Sequence, residues 1–248
     1  MIPTQFAPEP GLLAGRVILI TGAGGGLGAA LAVQCAGAGA SVILSGRNGA
    51  KLERVYDEIE AMGAPQPAIA MLDLAAATAA DYDNLAATIA GEFGQLDGLV
   101  HAAALLGDRT PLEQYDVPTW CRVLHVNLTA PFILTQVLLP NLRKSNDASV
   151  IFVSSGVVNN PRPFWGAYAV AKSGLEAARA MWSLELEGEP NIRVNSVNPG
   201  RMRTPMRAAA YPAEDPNTVP APASVSGPFL YLLSAQSRGI DGQHIEAQ

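Results

Sequence analysis

The sequence predicts an α/β protein built as one domain around a doubly wound, parallel, seven-stranded sheet with helices on both faces. Seven short runs rich in Val, Ile and Leu alternate with longer Ala-rich segments of helical periodicity. Continuous apolar runs of this length are typical of strands that are buried on both faces of a parallel sheet. The repeated alternation implies right-handed crossovers that place helices on both sides of the sheet. A chain of 248 residues fits a single domain spanning residues 1–248.

The individual elements follow from this pattern. The predicted strands are Val17–Ile20, Val42–Leu44, Ala68–Leu72, Leu96–His101, Val150–Val153, Val194–Val197 and Gln243–Glu246. The predicted helices are Leu27–Ala38, Lys51–Met62, Tyr82–Phe93, Thr119–Lys144, Ala167–Glu187 and Ser224–Ser234. Prolines recur between Met202 and Pro222 without a clear period, so residues 201–225 are predicted to form a substrate lid at the carboxyl ends of the strands. The whole is a Rossmann-type domain.

Composition and charge exclude several classes of protein. A hydrophobic fraction of 49% with 15% charged residues indicates a folded, well-buried chain. The net charge of −6 argues against nucleic acid or an anionic membrane as the main partner. Met1–Gly11 lacks the pattern of a secretory signal and no apolar run approaches the roughly 20 residues of a membrane span, so we expect a cytoplasmic protein. Cys35 and Cys121 are expected to be reduced, with a disulfide between them as the alternative.

A glycine-rich turn joins the first predicted strand to the first predicted helix. Thr21–Gly28 reads TGAGGGLG, and a strand, glycine turn and helix N-terminus in this order present backbone N–H groups to a pyrophosphate. The alternative is a turn with a structural role only. Two registers are open at this point, one formed by Gly24, Gly26 and Ala29, the other by Gly22, Gly26 and Gly28.

The end of the second strand indicates which dinucleotide the turn would bind. An NAD enzyme usually places an acidic residue there to hold the adenosine ribose. This chain has Ser45–Asn48 without an acid, and Arg47 offers a planar cation suited to a 2′-phosphate. Unless Arg47 is only a solvated surface residue, the pattern favours NADP(H) over NAD(H).

Tyr168 and Lys172 form a candidate catalytic pair. Their i, i+4 spacing at the start of a predicted helix places them on one face. A phenol with a pKa near ~10 needs its anion stabilised to exchange protons at neutral pH, and lowering that pKa by about three units requires roughly 4 kcal/mol. A nearby ammonium in a partly dry site can supply this, so the pair predicts acid/base chemistry.

Taken together, TGAGGGLG, a Ser before YxxxK and NPG after the next strand resemble the short-chain dehydrogenase/reductase family. The likeness covers Leu13 to Glu246 and implies the glycine register Gly22, Gly26 and Gly28. The stretches LLGDRTPLEQ, WGAYAVAKSGLE and RTPMRAAAYPAEDP look closest to the bacterial YciK-type branch of that family.

The resemblance implies a role for each matching residue. Tyr168 is the expected acid/base, Lys172 its partner, and Ser155 orients the reacting oxygen, with Ser154 as the alternative one register away. Asn127 is expected to hold a proton-relay water, unless it is an ordinary helix-interface asparagine. Asp73 and Leu74 match the adenine contacts, and Pro199, Gly200 and Thr204 match the segment beside the nicotinamide carboxamide. The expected cofactor-binding residues are Gly22, Gly26, Leu27, Gly28, Arg47, Asp73, Leu74, Ala103, Tyr168, Lys172, Pro199, Gly200 and Thr204.

The implied function is an NADP(H)-dependent oxidoreductase that transfers hydride between nicotinamide and a small-molecule carbonyl or alcohol. The resemblance also implies a homodimer or homotetramer packed through Thr119–Lys144 and Ala167–Glu187. No metal site is predicted, a P-loop kinase is excluded by the missing GxxxxGK[ST], and a serine hydrolase by the missing GxSxG. The alternative is a dinucleotide-binding sensor or scaffold with little turnover.

Two features leave questions that a structure can answer. The family carries NNAG or NAAG after the fourth strand, but in this chain Ala102 and Ala104 replace the second Asn and the Gly. His101 either substitutes in part for the lost asparagine, faces the site or simply ends the strand. Four arginines flank the lid, and some of them either meet an anionic group of the substrate or belong to a solvated face; they are Arg162, Arg201, Arg203 and Arg207.

Overall fold

A computed structural model describes Phe6 and residues 8–248. The N-terminal segment for which no secretory signal is predicted lies partly outside these described residues. Seven strands form one sheet in the order β3-β2-β1-β4-β5-β6-β7, and every neighbouring pair is parallel. They are β1 Val17–Thr21, β2 Ser41–Gly46, β3 Ala68–Met71, β4 Gly98–His101, β5 Ala148–Val153, β6 Ile192–Asn198 and β7 His244–Glu246. The predicted fold class is confirmed.

Helices cover both faces of the sheet. They are α1 Gly26–Gly37, α2 Gly49–Ala61, α3 Ala79–Glu92, α4 Val117–Leu124, α5 Ala130–Arg143, α6 Gly166–Glu185, α7 Pro205–Ala210 and α8 Gly227–Leu233. One core packs α1, α2 and α8 against the sheet through side chains such as Leu31, Leu52 and Phe229. The other packs α3, α5 and α6 against the opposite face through side chains such as Tyr82 and Leu134. Both faces are therefore dry, which explains why the strands read as continuous apolar runs.

The helix predicted at Thr119–Lys144 runs without interruption from Val117 to Arg143, with one π-helical stretch at His125–Thr129 between α4 and α5. By length and composition alone this helix could cross a membrane, and 44% of its most apolar window is buried inside the domain. Core helices satisfy the same criterion. The π-helical stretch matters more, because such insertions occur mostly at functional sites.

Two other boundaries differ from the sequence prediction. The helix expected at Ser224–Ser234 begins only at Gly227, because Pro222–Val225 closes a separate 3₁₀ turn ahead of it. The predicted lid also contains the short helix α7, whose N-cap Thr204 accepts a hydrogen bond from the Arg207 N–H. Proline at the first helical position fits this start, since its missing N–H would have no partner there.

A buried ion network ties the amino ends of the central strands together. Asp147, just before β5, pairs at 3.0 Å with Arg16, just before β1, and at 3.0 Å with Arg193 in β6. Arg193 also donates hydrogen bonds to the carbonyl of Leu232 and the hydroxyl of Ser237. Because these ion pairs and hydrogen bonds join three strands, they fix this end of the sheet, and the opposite, carboxyl end is left for ligand binding.

Candidate active site

A cavity of about 400 Å³ opens at the carboxyl ends of the strands. All of the residues expected to bind cofactor line it, namely Gly22, Gly26, Leu27, Gly28, Arg47, Asp73, Leu74, Ala103, Tyr168, Lys172, Pro199, Gly200 and Thr204. Ser155 and its neighbour Ser154 line it as well. Of the four residues expected to be catalytic, Asn127 is the one that lies behind the cavity wall.

The glycine turn has the shape of an anion cradle. Gly22 and Gly26 have φ values of 70° and 56°, a backbone conformation that side-chain-bearing residues rarely adopt. A Cβ on Gly22 would lie 2.9 Å from Ala103 Cα, and a Cβ on Gly28 would lie 2.7 Å from the Gly22 carbonyl carbon. The N-terminus of α1 carries no side-chain cap, so its first N–H groups face the cavity unpartnered. These steric requirements fit the register Gly22, Gly26 and Gly28.

The far end of the cavity is formed by the residues that the sequence predicts to contact adenosine. Arg47 follows β2, and Asp73 and Leu74 follow β3, so the parallel strands bring all three to one wall. The Asp73 carboxylate accepts a hydrogen bond from the Ala75 N–H, which fixes the start of this loop. Asn48 caps α2 by accepting from the Lys51 N–H, so the segment holding Arg47 is fixed from behind.

Tyr168 and Lys172 project from the first turns of α6 and are both buried. The Lys172 ammonium donates a hydrogen bond of 2.6 Å to the Val153 carbonyl and lies 5.8 Å from the centre of the Tyr168 ring. Burial raises the pKa of Tyr168, and the nearby Ser155 hydroxyl partly opposes that rise. The pKa of this phenol is thus raised and not lowered as the sequence predicts, because the desolvation of the ring outweighs the hydrogen bond with Ser155.

The charge of Lys172 is set by burial and by a carboxylate one helical turn away. Burial lowers the pKa of Lys172 to about 8, and the negative charge of Glu176 acts in the opposite direction. Burial alone would favour a protonated Glu176, but hydrogen bonds, the largest from His244, hold the pKa of this carboxyl at about 2. Lys172 thus keeps a compensating anion on its own helix.

Glu176 begins a chain of hydrogen bonds that reaches the loop after β6. His244 Nδ1 lies 3.0 Å from Glu176 Oε1, and His244 Nε2 lies 3.2 Å from Glu246 Oε1. Glu246 accepts from the Asn198 side chain at 2.6 Å, whose oxygen in turn accepts from the Gly200 N–H at 3.1 Å. The helix that carries Lys172 and the loop expected to contact nicotinamide are therefore held by one network.

Asn127 lies in the π-helical stretch and is buried. Its side-chain oxygen accepts from the Leu105 N–H at 2.7 Å, and its amide nitrogen donates to the Leu105 carbonyl at 2.8 Å. Both polar groups are thus used to hold the loop after β4, whose Leu105 lines the cavity. The side chain positions the cavity wall in this structure, which is a helix-interface role.

The altered segment after β4 keeps the backbone path that the cavity needs. Phe164 is the only non-glycine residue with a positive φ in the part of the chain the structure describes, so Ala104 stays in the ordinary region and adds only a methyl group. Thr21 replaces part of the missing asparagine tie, because its hydroxyl accepts from the Ala103 N–H at 3.1 Å. His101 does not line the cavity: its ring stacks on Phe152 and lies 2.9 Å from the Thr135 hydroxyl. Burial lowers the pKa of His101 to about 3, so it is a neutral strand-end histidine.

The predicted lid is held over the cavity by stacked arginines and aromatic rings. Arg207 lies 3.7 Å over the Tyr211 ring and makes two hydrogen bonds of 2.6 Å to Glu214. Arg109 lies 4.5 Å over the Trp165 ring and donates to the Ala210 carbonyl. Residues from the loops after β4 and β5 therefore meet α7 above the cavity.

Sequence reasoning missed several residues that build the site. They are Ser45, Gly46, Leu106, Trp165, Met206 and Ala210 in the lining, and Arg109, Glu176 and His244 behind it. Glu176 could have been found, because it is four residues after Lys172 and so shares its helix face. The apolar lining residues carry no chemical signature in the sequence.

Comparison with known proteins places the chain in a family. A family model described as short chain dehydrogenase matches residues 16–215. The oxidoreductase YciK of Escherichia coli K12, itself uncharacterised, is 42% identical over 244 residues, covering 98% of this chain and 96% of that protein. Among solved structures, a short chain dehydrogenase candidate from Pseudomonas syringae has 49% identity and a TM-score of 0.96, covering 98% of each chain.

A further related structure, from Escherichia coli CFT073, is a complex with NADPH. It is 42% identical, has a TM-score of 0.94, and is matched over 97% of this chain and 100% of its own. The expected likeness to YciK-type oxidoreductases is confirmed by these matches. The seven-stranded parallel sheet, the glycine turn and the buried Tyr168–Lys172 pair thus belong to an oxidoreductase, and the chain is a member of the short-chain dehydrogenase/reductase family.

Proposed function

We propose that this chain is an NADP(H)-dependent oxidoreductase that interconverts a small-molecule carbonyl compound and the corresponding alcohol. The proposal is carried by the observation that one cavity is lined both by Ser155, Tyr168 and Lys172 and by the glycine turn and Gly200. Related structures with NADP and NADPH support the choice of dinucleotide. Cytoplasmic localisation is part of the same proposal, as is a homodimer or homotetramer.

The residues present fit a dinucleotide. The cradle at Gly22 and Gly28, which a Cβ would fill, and the uncapped N-terminus of α1 suit a pyrophosphate. Arg47 would meet a 2′-phosphate as a planar cation, since no acidic residue stands at the end of β2 to hold the free hydroxyls. Leu74 would contact adenine and Pro199 the nicotinamide side.

The catalytic residues then act on the substrate oxygen. The bound dinucleotide supplies the hydride equivalent for reduction. Tyr168 donates its phenolic proton to the carbonyl oxygen, and because burial raises its pKa, the phenol is protonated and ready to donate at neutral pH. Ser155 donates a hydrogen bond to the same oxygen and so holds the carbonyl in line. In oxidation, Tyr168 accepts the proton from the alcohol.

Lys172 and Asn127 support this proton transfer. With a pKa of about 8, Lys172 is charged at neutral pH, and its ammonium stabilises the phenolate left on Tyr168 after donation. Asn127 fixes Leu105 in the cavity wall, and we propose that a relay water is held beside it. The segment 201–225 acts as the substrate lid, because residues of α7, including Arg207, line the cavity.

The experiment compares Tyr168→Phe with the wild type. NADPH affinity is measured by fluorescence titration and turnover by NADPH oxidation with a panel of ketones and aldehydes. Loss of the proton donor should lower kcat by about 10²–10⁴-fold while NADPH affinity is retained, since the removed hydroxyl is aimed at the substrate oxygen. Binding of NADPH without turnover of any carbonyl by the wild type would instead favour a sensor or scaffold.

A further inference from the structure

The charged side chains are distributed unevenly along the cavity. Among the described residues, four charged side chains line it. Arg47 and Asp73 lie at the adenosine end, whereas Lys172 and Arg207 lie at the end where the substrate would enter. Lys172 is buried under Tyr168 and bonded to Val153. Arg207 is therefore the one cation of these four that could meet a charged group on a substrate.

Arg207 already has a carboxylate partner. Its Nε and one terminal nitrogen each bond a different oxygen of Glu214 at 2.6 Å, and both side chains are about one-fifth exposed, at 22% and 21%. The guanidinium carbon of Arg207 also lies 3.7 Å from the centre of the Tyr211 ring. A bidentate pair of this kind uses the fork of the guanidinium completely on one edge, so Glu214 masks the charge that Arg207 would present to the cavity.

The remaining wall at this end is apolar. Leu106, Trp165, Met206 and Ala210 line the cavity beside Tyr168, and they pack into one cluster with Val157. Trp165 is 9% exposed and Ala210 is 8% exposed. Such a wall stabilises an apolar group of the substrate by contact, and it offers no partner to a charged group that has lost its hydration.

The other arginines near the lid lie outside the cavity lining. Arg109, Arg162, Arg201 and Arg203 are all exposed, and Arg162 reaches the Tyr211 hydroxyl at 3.3 Å. Arg109 stacks on Trp165 and donates to the Ala210 carbonyl, and the charges of the other three face solvent, where they are screened. Among the arginines that line the cavity, Arg207 is the one at the substrate end, and it is already paired with Glu214.

We propose that the cavity selects a carbonyl compound that carries no charged group at the end facing Arg207, and that Glu214 is a specificity-determining residue because it neutralises Arg207. The inference rests on the proposed function and names the substrate class of that site. A carboxylate on the substrate that reaches this end of the cavity would lose its hydration and find the guanidinium already paired. Specificity then comes from the free-energy cost of binding a charged substrate as well as from favourable contact with an uncharged one.

The test uses three ketones of similar size: para-methylacetophenone, para-acetylbenzamide and para-acetylbenzoate. Their binding to the enzyme–NADP⁺ complex is measured by calorimetry, which needs no turnover. For the wild type, both neutral ketones should bind at least about tenfold more tightly than the carboxylate. In Glu214→Gln the carboxylate should gain about tenfold or more, while the affinity for para-methylacetophenone stays the same.

Two further variants isolate the cause. Glu113→Gln removes the same charge at an exposed position outside the cavity lining and should leave all three affinities unchanged. Adding Arg207→Gln to Glu214→Gln should abolish the gain for the carboxylate, because the unmasked cation is then gone.

Several results would overturn the inference. They are tighter binding of para-acetylbenzoate than of para-acetylbenzamide by the wild type, no gain in Glu214→Gln, an equal gain in Glu113→Gln, or no binding of any ketone. The proposed function fails separately, if NADP⁺ itself does not bind or if no carbonyl is reduced. If NADP⁺ does not bind, the three ketones are titrated into the protein without NADP⁺. Their affinities are then compared by the same rule, with both neutral ketones expected to bind more tightly than the carboxylate.

Discussion

Replacing Gly28 with Ala tests the glycine cradle most sharply. A Cβ at this position would lie 2.7 Å from the carbonyl carbon of Gly22 and would also press on the Gly22 carbonyl oxygen. Favourable carbon–carbon separations are about 3.5–4.0 Å, so α1 or the turn must move by roughly 1 Å. Overpacking of this kind costs about 1–3 kcal/mol, and the movement displaces the N–H groups of the uncapped helix N-terminus.

The expected result is an NADPH affinity weakened by about tenfold or more, since each ~1.4 kcal/mol is tenfold in a dissociation constant. Fluorescence titration measures the affinity, and thermal unfolding reports the accompanying loss of stability. Gly91→Ala is the matched control, because a Cβ there meets nothing within 4 Å and an alanine inside α3 should stabilise the helix by up to about 1 kcal/mol. Unchanged NADPH affinity and unfolding temperature in Gly28→Ala would refute the reasoning.

Three other perturbations give separate outcomes. Arg47→Asp should shift the ratio of kcat/KM from NADPH towards NADH, while Arg54→Asp on the exposed face of α2 should leave it unchanged; an equal ratio in both variants would contradict the assignment of the 2′-phosphate contact. Asp147→Asn should lower the free energy of unfolding by about 3 kcal/mol, because the buried Arg193 and the half-buried Arg16 lose their carboxylate. Denaturant unfolding that shows a loss of less than about 1 kcal/mol would argue against this. The hydrogen bond to Glu176 raises the pKa of His244 above 6.5. The stabilising charge of His244 is therefore present below that pH, and its contribution to the free energy of unfolding is lost as pH rises through the raised pKa. His244→Gln should lack this decline, and parallel curves of stability against pH for the variant and the wild type would contradict the assignment.

The sheet and the cofactor end of the site could be predicted from the sequence because both depend on local pattern. Strands buried on two faces give unbroken apolar runs, and all seven strands end within two residues of their predicted ends. The largest difference is in β2, which ends at Gly46 and not at Leu44. The turn at Gly22 and the helix pair Tyr168–Lys172 are set by neighbours in sequence. Their chemistry is therefore visible without the fold.

The substrate end could not be predicted in the same way because its partners are chosen in three dimensions. Arg207 and Glu214 are both visible in the sequence, but only the turn after α7 brings them into a bidentate pair. The relay water expected at Asn127 stays a prediction, and the second use of this side chain is visible only in the fold, where Leu105 in the loop after β4 bonds both ends of its amide. His101 turns away from the cavity because the ring finds a closer packing site on Phe152.

The measurement that tests the central claim most directly is isotope transfer. NADPH carrying deuterium at both positions of the nicotinamide C4 is incubated with the wild type and an apolar ketone, and the alcohol is analysed by mass spectrometry. The account predicts one deuterium bound to the carbinol carbon, and none in the product from Tyr168→Phe over the same time. An alcohol without deuterium, or equal transfer by the variant that lacks the phenolic hydroxyl, would contradict the role given to Tyr168 and to this cavity.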